Sequence, residues 1–92
     1  MKNGNVTEFV DHIYWGDELV FLYHGQKFFL QGLPVDGKFN LYLARWEPPA
    51  DDYIWVGEGD NKDYPVSKFL KAKIWEGKSF WEVQDQMEWV DA

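Results

Sequence analysis

The sequence predicts an α+β fold: an antiparallel three- or four-stranded sheet with one N-terminal helix and two C-terminal helices. Three observations predict it. Apolar residues recur at helical spacing near both ends, apolar and polar residues alternate through the middle, and cap or turn residues mark the boundaries. Ninety-two residues suit one domain, 1–92. The 20% aromatic share, with six Trp, supplies large buried area per residue, so a core of this size needs no covalent staple.

Asn5 to Trp15 is predicted helical, with Val6, Phe9, Val10 and Ile13 on one stripe. Asn5 with Glu8 three residues later resembles a capping box, and Gly16 supplies a left-handed stop. Glu18 to Gln31 reads as a β-hairpin turning at His24-Gly25 or Gly25-Gln26. One hairpin face holds Leu19, Phe21, Tyr23, Phe28 and Leu30 and is the expected core, with at least one helix packed on it. The other holds Val20, Leu22 and Phe29 mixed with Glu18, Lys27 and Gln31. Gly32 to Gly37 is read as a loop or wide turn.

Phe39 to Trp46 is the third strand, ended by Pro48-Pro49. Tyr53 to Val56 is a short fourth strand, antiparallel to the third. Gly57 to Asp63 is a polar loop. A helix follows from Pro65 to Ala72 or Ile74, and Gly77 breaks it. Ser79-Phe80-Trp81-Glu82 matches the S-x-x-E capping box. The last helix carries Phe80, Val83, Met87 and Val90 on one face. Trp89 falls opposite that face, so either it is exposed or the helix ends near Met87 and the tail extends.

The opening helix, Tyr14-Trp15-Gly16-Asp17-Glu18-Leu19 leading into the hairpin, and Phe69-Leu70-Lys71-Ala72-Lys73-Ile74 with Gly77-Lys78-Ser79-Phe80 and Glu82 give the chain a resemblance. It is similar to small uncharacterised α+β proteins of Gram-positive bacteria, more loosely from Gly32 to Asp63. The matching motifs are turns and caps. The resemblance implies a compact α+β fold and a cytoplasmic location, and it implies no activity.

Composition narrows the function. No stretch approaches the ~20 apolar residues of a membrane span, and the opening Met1-Lys2-Asn3-Gly4-Asn5 has no apolar signal core. The absence of cysteine excludes disulfides and thiolate metal sites and fits a reducing compartment. A net charge of −7 repels phosphate backbones, so nucleic acid is not an expected partner and a basic protein is.

Chemistry-bearing residues have bland readings. His12 and His24 lack the strand–turn–helix setting of an activated nucleophile. Gly57-Glu58-Gly59 is ringed by Glu58, Asp60 and Asp63, which oppose a phosphate. Asp51, Asp52, Glu58, Asp60 and Asp63 do not follow calcium-loop spacing and read as an acidic edge that steers a basic partner. Glu82, Asp85 and Glu88 read as a wet helix face. No catalytic residue, cofactor or metal is expected.

The aromatics are more informative. Strand alternation places Tyr42, Trp46, Tyr53 and Trp55 with Val20, Leu22 and Phe29 on the face opposite the core. With three helices to place, one is expected to cover that face; left bare, it marks an interface. The functional expectation is a small acidic non-enzymatic protein-binding module, immunity- or inhibitor-like, that makes contact through Trp46, Asp51, Asp52, Tyr53, Trp55, Glu58, Asp60, Asp63 and Trp89. Self-association through exposed aromatics, Trp89 foremost, is a further expectation. The alternative is a small-molecule or carbohydrate binder using Trp, Tyr and carboxylates. A concave pocket lined by Trp46, Trp55 and carboxylates would favour that alternative; a flat aromatic or acidic face would favour the first reading.

Overall fold

The computed structural model describes residues 1–91, and its elements begin with α1 (Val6–Tyr14). Asn5 is extended, and its side-chain oxygen accepts from the backbone N–H groups of Thr7 and Glu8, at 2.8 and 3.2 Å. These bonds satisfy two of the donors that every helix start leaves free. Gly16, at φ 72°, ends the turn, and Phe9 and Ile13 are buried.

Two tight hairpins build the sheet's centre. β1 (Leu19–Tyr23) joins β2 (Gln26–Val35) through His24-Gly25, with Tyr23 opposite Gln26. β2 joins β3 (Lys38–Glu47) through Asp36-Gly37, with Val35 opposite Lys38. All four turn residues have positive φ (47° and 75°, 51° and 78°), which suits the twist of antiparallel strands. The second turn corrects the loop expected over Gly32–Gly37: the strand runs on through Pro34. Beyond Leu30, β2 has lost β1 as a neighbour and borders β3 alone, and proline is tolerated on such an edge.

β4 (Trp55–Glu58) pairs with β3 two residues later than expected, with Trp55 opposite Leu43 and Gly57 opposite Leu41. α2 (Val66–Lys71) buries Val66, Phe69 and Leu70. α3 (Phe80–Val83) is a single turn held by Glu82, whose carboxylate accepts from both the N–H and the hydroxyl of Ser79 at 3.0 Å. These bonds, with Lys73 alongside, hold the Glu82 carboxyl down at about 2.

The expected long last helix is not formed. A 3₁₀ turn (Gln84–Gln86) leads instead into β5 (Met87–Asp91), which pairs antiparallel with β1. The sheet therefore has five strands, in the order β4-β3-β2-β1-β5. Period-two alternation turns Met87 and Trp89 inward and Glu88 and Val90 outward. Phe80, Val83 and Met87 are buried as the helical stripe required, while Val90 is exposed. Lys2 closes the far edge: its N–H donates to the Met87 carbonyl at 2.8 Å, and its carbonyl accepts from the Trp89 N–H at 2.9 Å.

All three helices pack on one side of the sheet and share one core. Trp75 stands at its centre, 2% exposed, with its ring steeply inclined to those of Phe21, Tyr23, Phe28 and Phe69 at centroid distances of 5.1–6.5 Å. Its indole N–H is buried without a hydrogen-bond partner; its setting among ring faces is the kind in which weak N–H···π contacts form.

Gly32 tests how closely the layers fit. Its N–H donates to the Gly16 carbonyl at 3.2 Å, and a methyl placed on it would overlap the Tyr64 ring and come within 2.7 Å of the Gly16 Cα. Gly32→Ala is expected to lower the unfolding free energy by about 1–3 kcal/mol, the usual range for an overpacked site. Urea denaturation checks this, and an unchanged midpoint would show that Tyr64 can swing away freely.

Candidate functional site

Among the described residues, no helix lies over the sheet face away from the core, contrary to the expectation that one would cover it. Alternation brings Val20 and Leu22 of β1, Phe29 of β2, Tyr42 and Ala44 of β3 and Val56 of β4 to this face. A register shift at Lys27/Phe28 gives β3 an extra residue, and there Trp46 stacks on Phe29 with centroids 4.6 Å apart and planes 15° apart. Tyr53, in the loop before β4, lies over Tyr42 at 5.1 Å. Trp46, Tyr53 and Val56 remain about half exposed, at 47%, 47% and 50%. Large aromatic surface is thus fixed in place by cross-strand contact and still meets water.

Two ion pairs stand at the margin of this face, and Asp51 and Asp52 line a hollow there with Ala44 and Tyr53. Lys27 meets Glu47 at 3.3 Å and Lys38 meets Glu58 at 2.6 Å. The second pair raises the Lys38 ammonium pKa and lowers that of the Glu58 carboxyl. Glu88 accepts from the Asn3 side-chain amide at 3.0 Å, and Lys2 is its backbone neighbour.

The residues singled out by sequence divide between several places. Trp46 and Tyr53 lie on the open face. Trp55 does not: pairing with Leu43 turns it to the core side, half-buried against Phe69 at 5.4 Å. Tyr53 precedes the strand, so alternation does not carry from it to Trp55. Trp89 is half-buried, edge-on to Phe9 at 5.3 Å and beside His12 at 5.4 Å, because the helix has ended before it. The five acids lie at both ends of β4. Asp51 and Asp52 are in the loop before it, Glu58 is its last residue, and Asp60 and Asp63 are in the loop after it.

Several of these carboxylates are occupied locally. Asp52 accepts from the Tyr53 N–H at 2.7 Å. Asp60 accepts from the N–H groups of Lys62 and Asp63, both at 2.8 Å, and these bonds hold its carboxyl below the usual range. Among the described residues no group of three or more His, Cys, Asp or Glu is placed to hold a metal ion. Trp46 and Trp55 stand on opposite sides of the sheet and cannot line one pocket. Among the described residues, no helix is long and apolar enough to cross a membrane.

One cluster has no signal in the sequence. His24, at the first hairpin turn, reaches Glu76 through Nδ1 at 2.9 Å and Gln86 through Nε2 at 2.6 Å. Those partners lie 52 and 62 residues away, so no local spacing announces them. The open hollow beside it, about 430 Å³, is lined by Lys2, Leu22, Asp85 and Glu88 among others. Comparison with protein-family models, with curated proteins and with solved structures finds no match.

Both His24 nitrogens face oxygens, and only the protonated ring donates from both. Bonding to Gln86 first, then to Glu76, raises the His24 pKa above its ordinary 6.5. The contact therefore contributes stability that is complete below about pH 6.5 and is lost as pH rises through the raised value. An NMR titration of the imidazole is expected to show a midpoint above 6.5, and Glu76→Gln should bring it down. A wild-type midpoint at or below 6.5 would contradict the assignment.

Proposed function

We propose that this chain is a small non-enzymatic protein-binding module and that its contact surface is the open sheet face around Phe29, Tyr42 and Trp46. The observation that carries the reading is the one-sided packing of the helices. It leaves an ordered aromatic face in water, and such a face is a usual mark of a protein interface. Aromatic residues held rigidly by neighbours lose little entropy on contact, which suits them as anchors.

The carbohydrate-binding alternative asked for a concave pocket shared by Trp46, Trp55 and carboxylates. Separation of the two tryptophans by the sheet weighs against it. Acidity enters the proposal as a long-range term. The surplus of negative charge, which includes Asp51 and Asp52 beside Ala44 and Tyr53 at the edge of this face, favours encounter with a basic partner. A cytoplasmic setting fits the cysteine-free composition, and the likeness to Gram-positive proteins adds no activity to the reading.

Affinity capture in the native host tests it, with tagged bait and untagged chain expressed together. Wild-type bait is expected to enrich a protein, either another gene product or the untagged chain, in near-stoichiometric amount. Trp46→Glu should abolish that enrichment, and Trp81→Glu on the helical side should not. Enrichment that ignores Trp46, or none at all, would sink the reading.

A further inference from the structure

We infer that the open face takes a basic amphipathic helix of a partner protein, laid along β2 and β3. Its apolar stripe meets Phe29, Tyr42 and Trp46, and its Lys or Arg side chains meet the acids on either flank. The inference rests on the reading that this face binds protein, and it names the partner's chemistry.

Charge complementarity sets the partner's sign. On one flank Asp51 and Asp52 line a hollow with Ala44 and Tyr53. On the opposite flank Asp85 and Glu88 line another, with Leu22. Alternation from buried Leu19 brings exposed Glu18 to the open side as well, at the other end of β1. The bases nearby offset only part of this. Lys27 and Lys38 are taken up by Glu47 and Glu58. Lys2 and His24 share the second hollow, and Glu76 faces His24 at 2.9 Å. The Asn3 amide that bonds Glu88 is neutral. Each flank therefore keeps an acid surplus, with apolar surface between. A partner that fits carries the reverse pattern: an apolar middle with positive charge along both sides.

Backbone chemistry selects a helix. Strand N–H and C=O groups point along the plane of the sheet, toward neighbouring strands, so the face offers main-chain groups no partner. An extended peptide pressed flat on it would bury its own polar backbone unsatisfied, whereas a helix satisfies its backbone internally. The molecule's other side already uses this solution. There α1 and α2 lie on the sheet through Phe9, Ile13, Val66 and Phe69.

Dimensions agree. Three to four strand spacings separate the two flanks, about 14–19 Å. A helix is about 10–12 Å across with its side chains. It leaves room for Lys or Arg on both shoulders to lay their stems over apolar surface and set their charges at the rim. β2 and β3 have 10 residues each, about 34 Å of strand, which matches a helix of about 20 residues.

The probe is a synthetic peptide of about 18 residues, Leu and Lys only, with Leu at i, i+3, i+4 and i+7 so that it forms an amphipathic helix. Calorimetry against the full chain, in about 0.05 and 0.5 M salt, decides the matter. A Kd below about 100 µM is expected at the lower salt, weakening by about tenfold or more at the higher. Trp46→Ala should weaken binding by about tenfold through lost contact area. Asp51→Lys and Asp85→Lys, one on each flank, should each weaken it by about threefold to tenfold and flatten its salt dependence. Asp11→Lys makes an equal change in net charge on α1 and should leave binding within about twofold. A peptide of the same composition, reordered to spread Leu round the helix, should bind about tenfold more weakly or worse. Circular dichroism checks that each variant is folded. Binding weaker than about 100 µM would overturn the inference. So would equal binding of the reordered peptide, or indifference to Trp46→Ala or to both flank variants. Capture of a host protein that depends on Trp46 and that the peptide cannot displace would exclude the helix and leave the binding-module reading standing.

Discussion

The pairing of β5 with β1 is the constraint on which the rest of the structure depends. Without it β1 would be an edge strand, its N–H and C=O groups open to any passing chain. With it, residues from the two ends of the described chain lie side by side, because Lys2 in turn hydrogen-bonds the outer edge of β5. The same pairing sets Trp89 inward, where its ring meets Phe9 of α1. Helix, sheet and N-terminal segment are therefore joined at one place by β5, whose nearest paired residues in sequence, Tyr23 and Met87, are 64 positions apart.

Once the strand registers are set, the two faces of the sheet part company. All core side chains go to one side, and three helices with Trp75 among them fill it. Nothing is left in the described chain to cover the other side. An antiparallel sheet tolerates this when its outer face is polar. Here that face carries Val, Leu, Phe, Tyr and Trp, with charged residues at its margin, some of them paired. Acid borders it, with Asp51 and Asp52 beside Ala44 and Tyr53 and Asp85 and Glu88 near Leu22, so the apolar centre is rimmed by negative charge.

Local signals made much of this legible in the sequence. Asn5, Gly16, His24-Gly25 and Ser79 with Glu82 act within a few residues, and each sits where its own chemistry requires. Phe29, Tyr42 and Trp46 could be assigned to the open face because they lie in strands whose alternation is unbroken or broken only by a bulge beside them. What was not legible depended on distant partners. Phe80, Val83, Met87 and Val90 fit a helical period, while Met87 and Trp89 fit a strand; only the empty edge of β1 decides between them, and it lies far away in sequence. Trp55 was misplaced because Tyr53 was counted within the strand; β4 begins two residues later, at Trp55, so the side on which Tyr53 lies does not carry over to Trp55. The acids from Asp51 to Asp63 are close in sequence, but an extended strand of four residues stands between them and holds them roughly 14 Å apart. Whether the helices share one side or divide between two leaves no mark in a single amphipathic stripe, so the bare face could not be foreseen.

The late position of β5 has a consequence for how the protein is made. The two hairpins, with their two-residue turns, close only short loops and can form as soon as residues 19–47 emerge from the ribosome. The edge of β1 then waits, open and rich in Phe and Leu, until residues 87–91 have been synthesised. At ~5–20 residues per second that is a delay of seconds, during which neighbouring nascent chains on one message could pair edge to edge. Slow translation between β3 and β5 would lengthen this exposure, and a holding chaperone on the β1 edge would shorten its effect. The burden of making this fold without aggregation therefore falls on the interval before β5 appears.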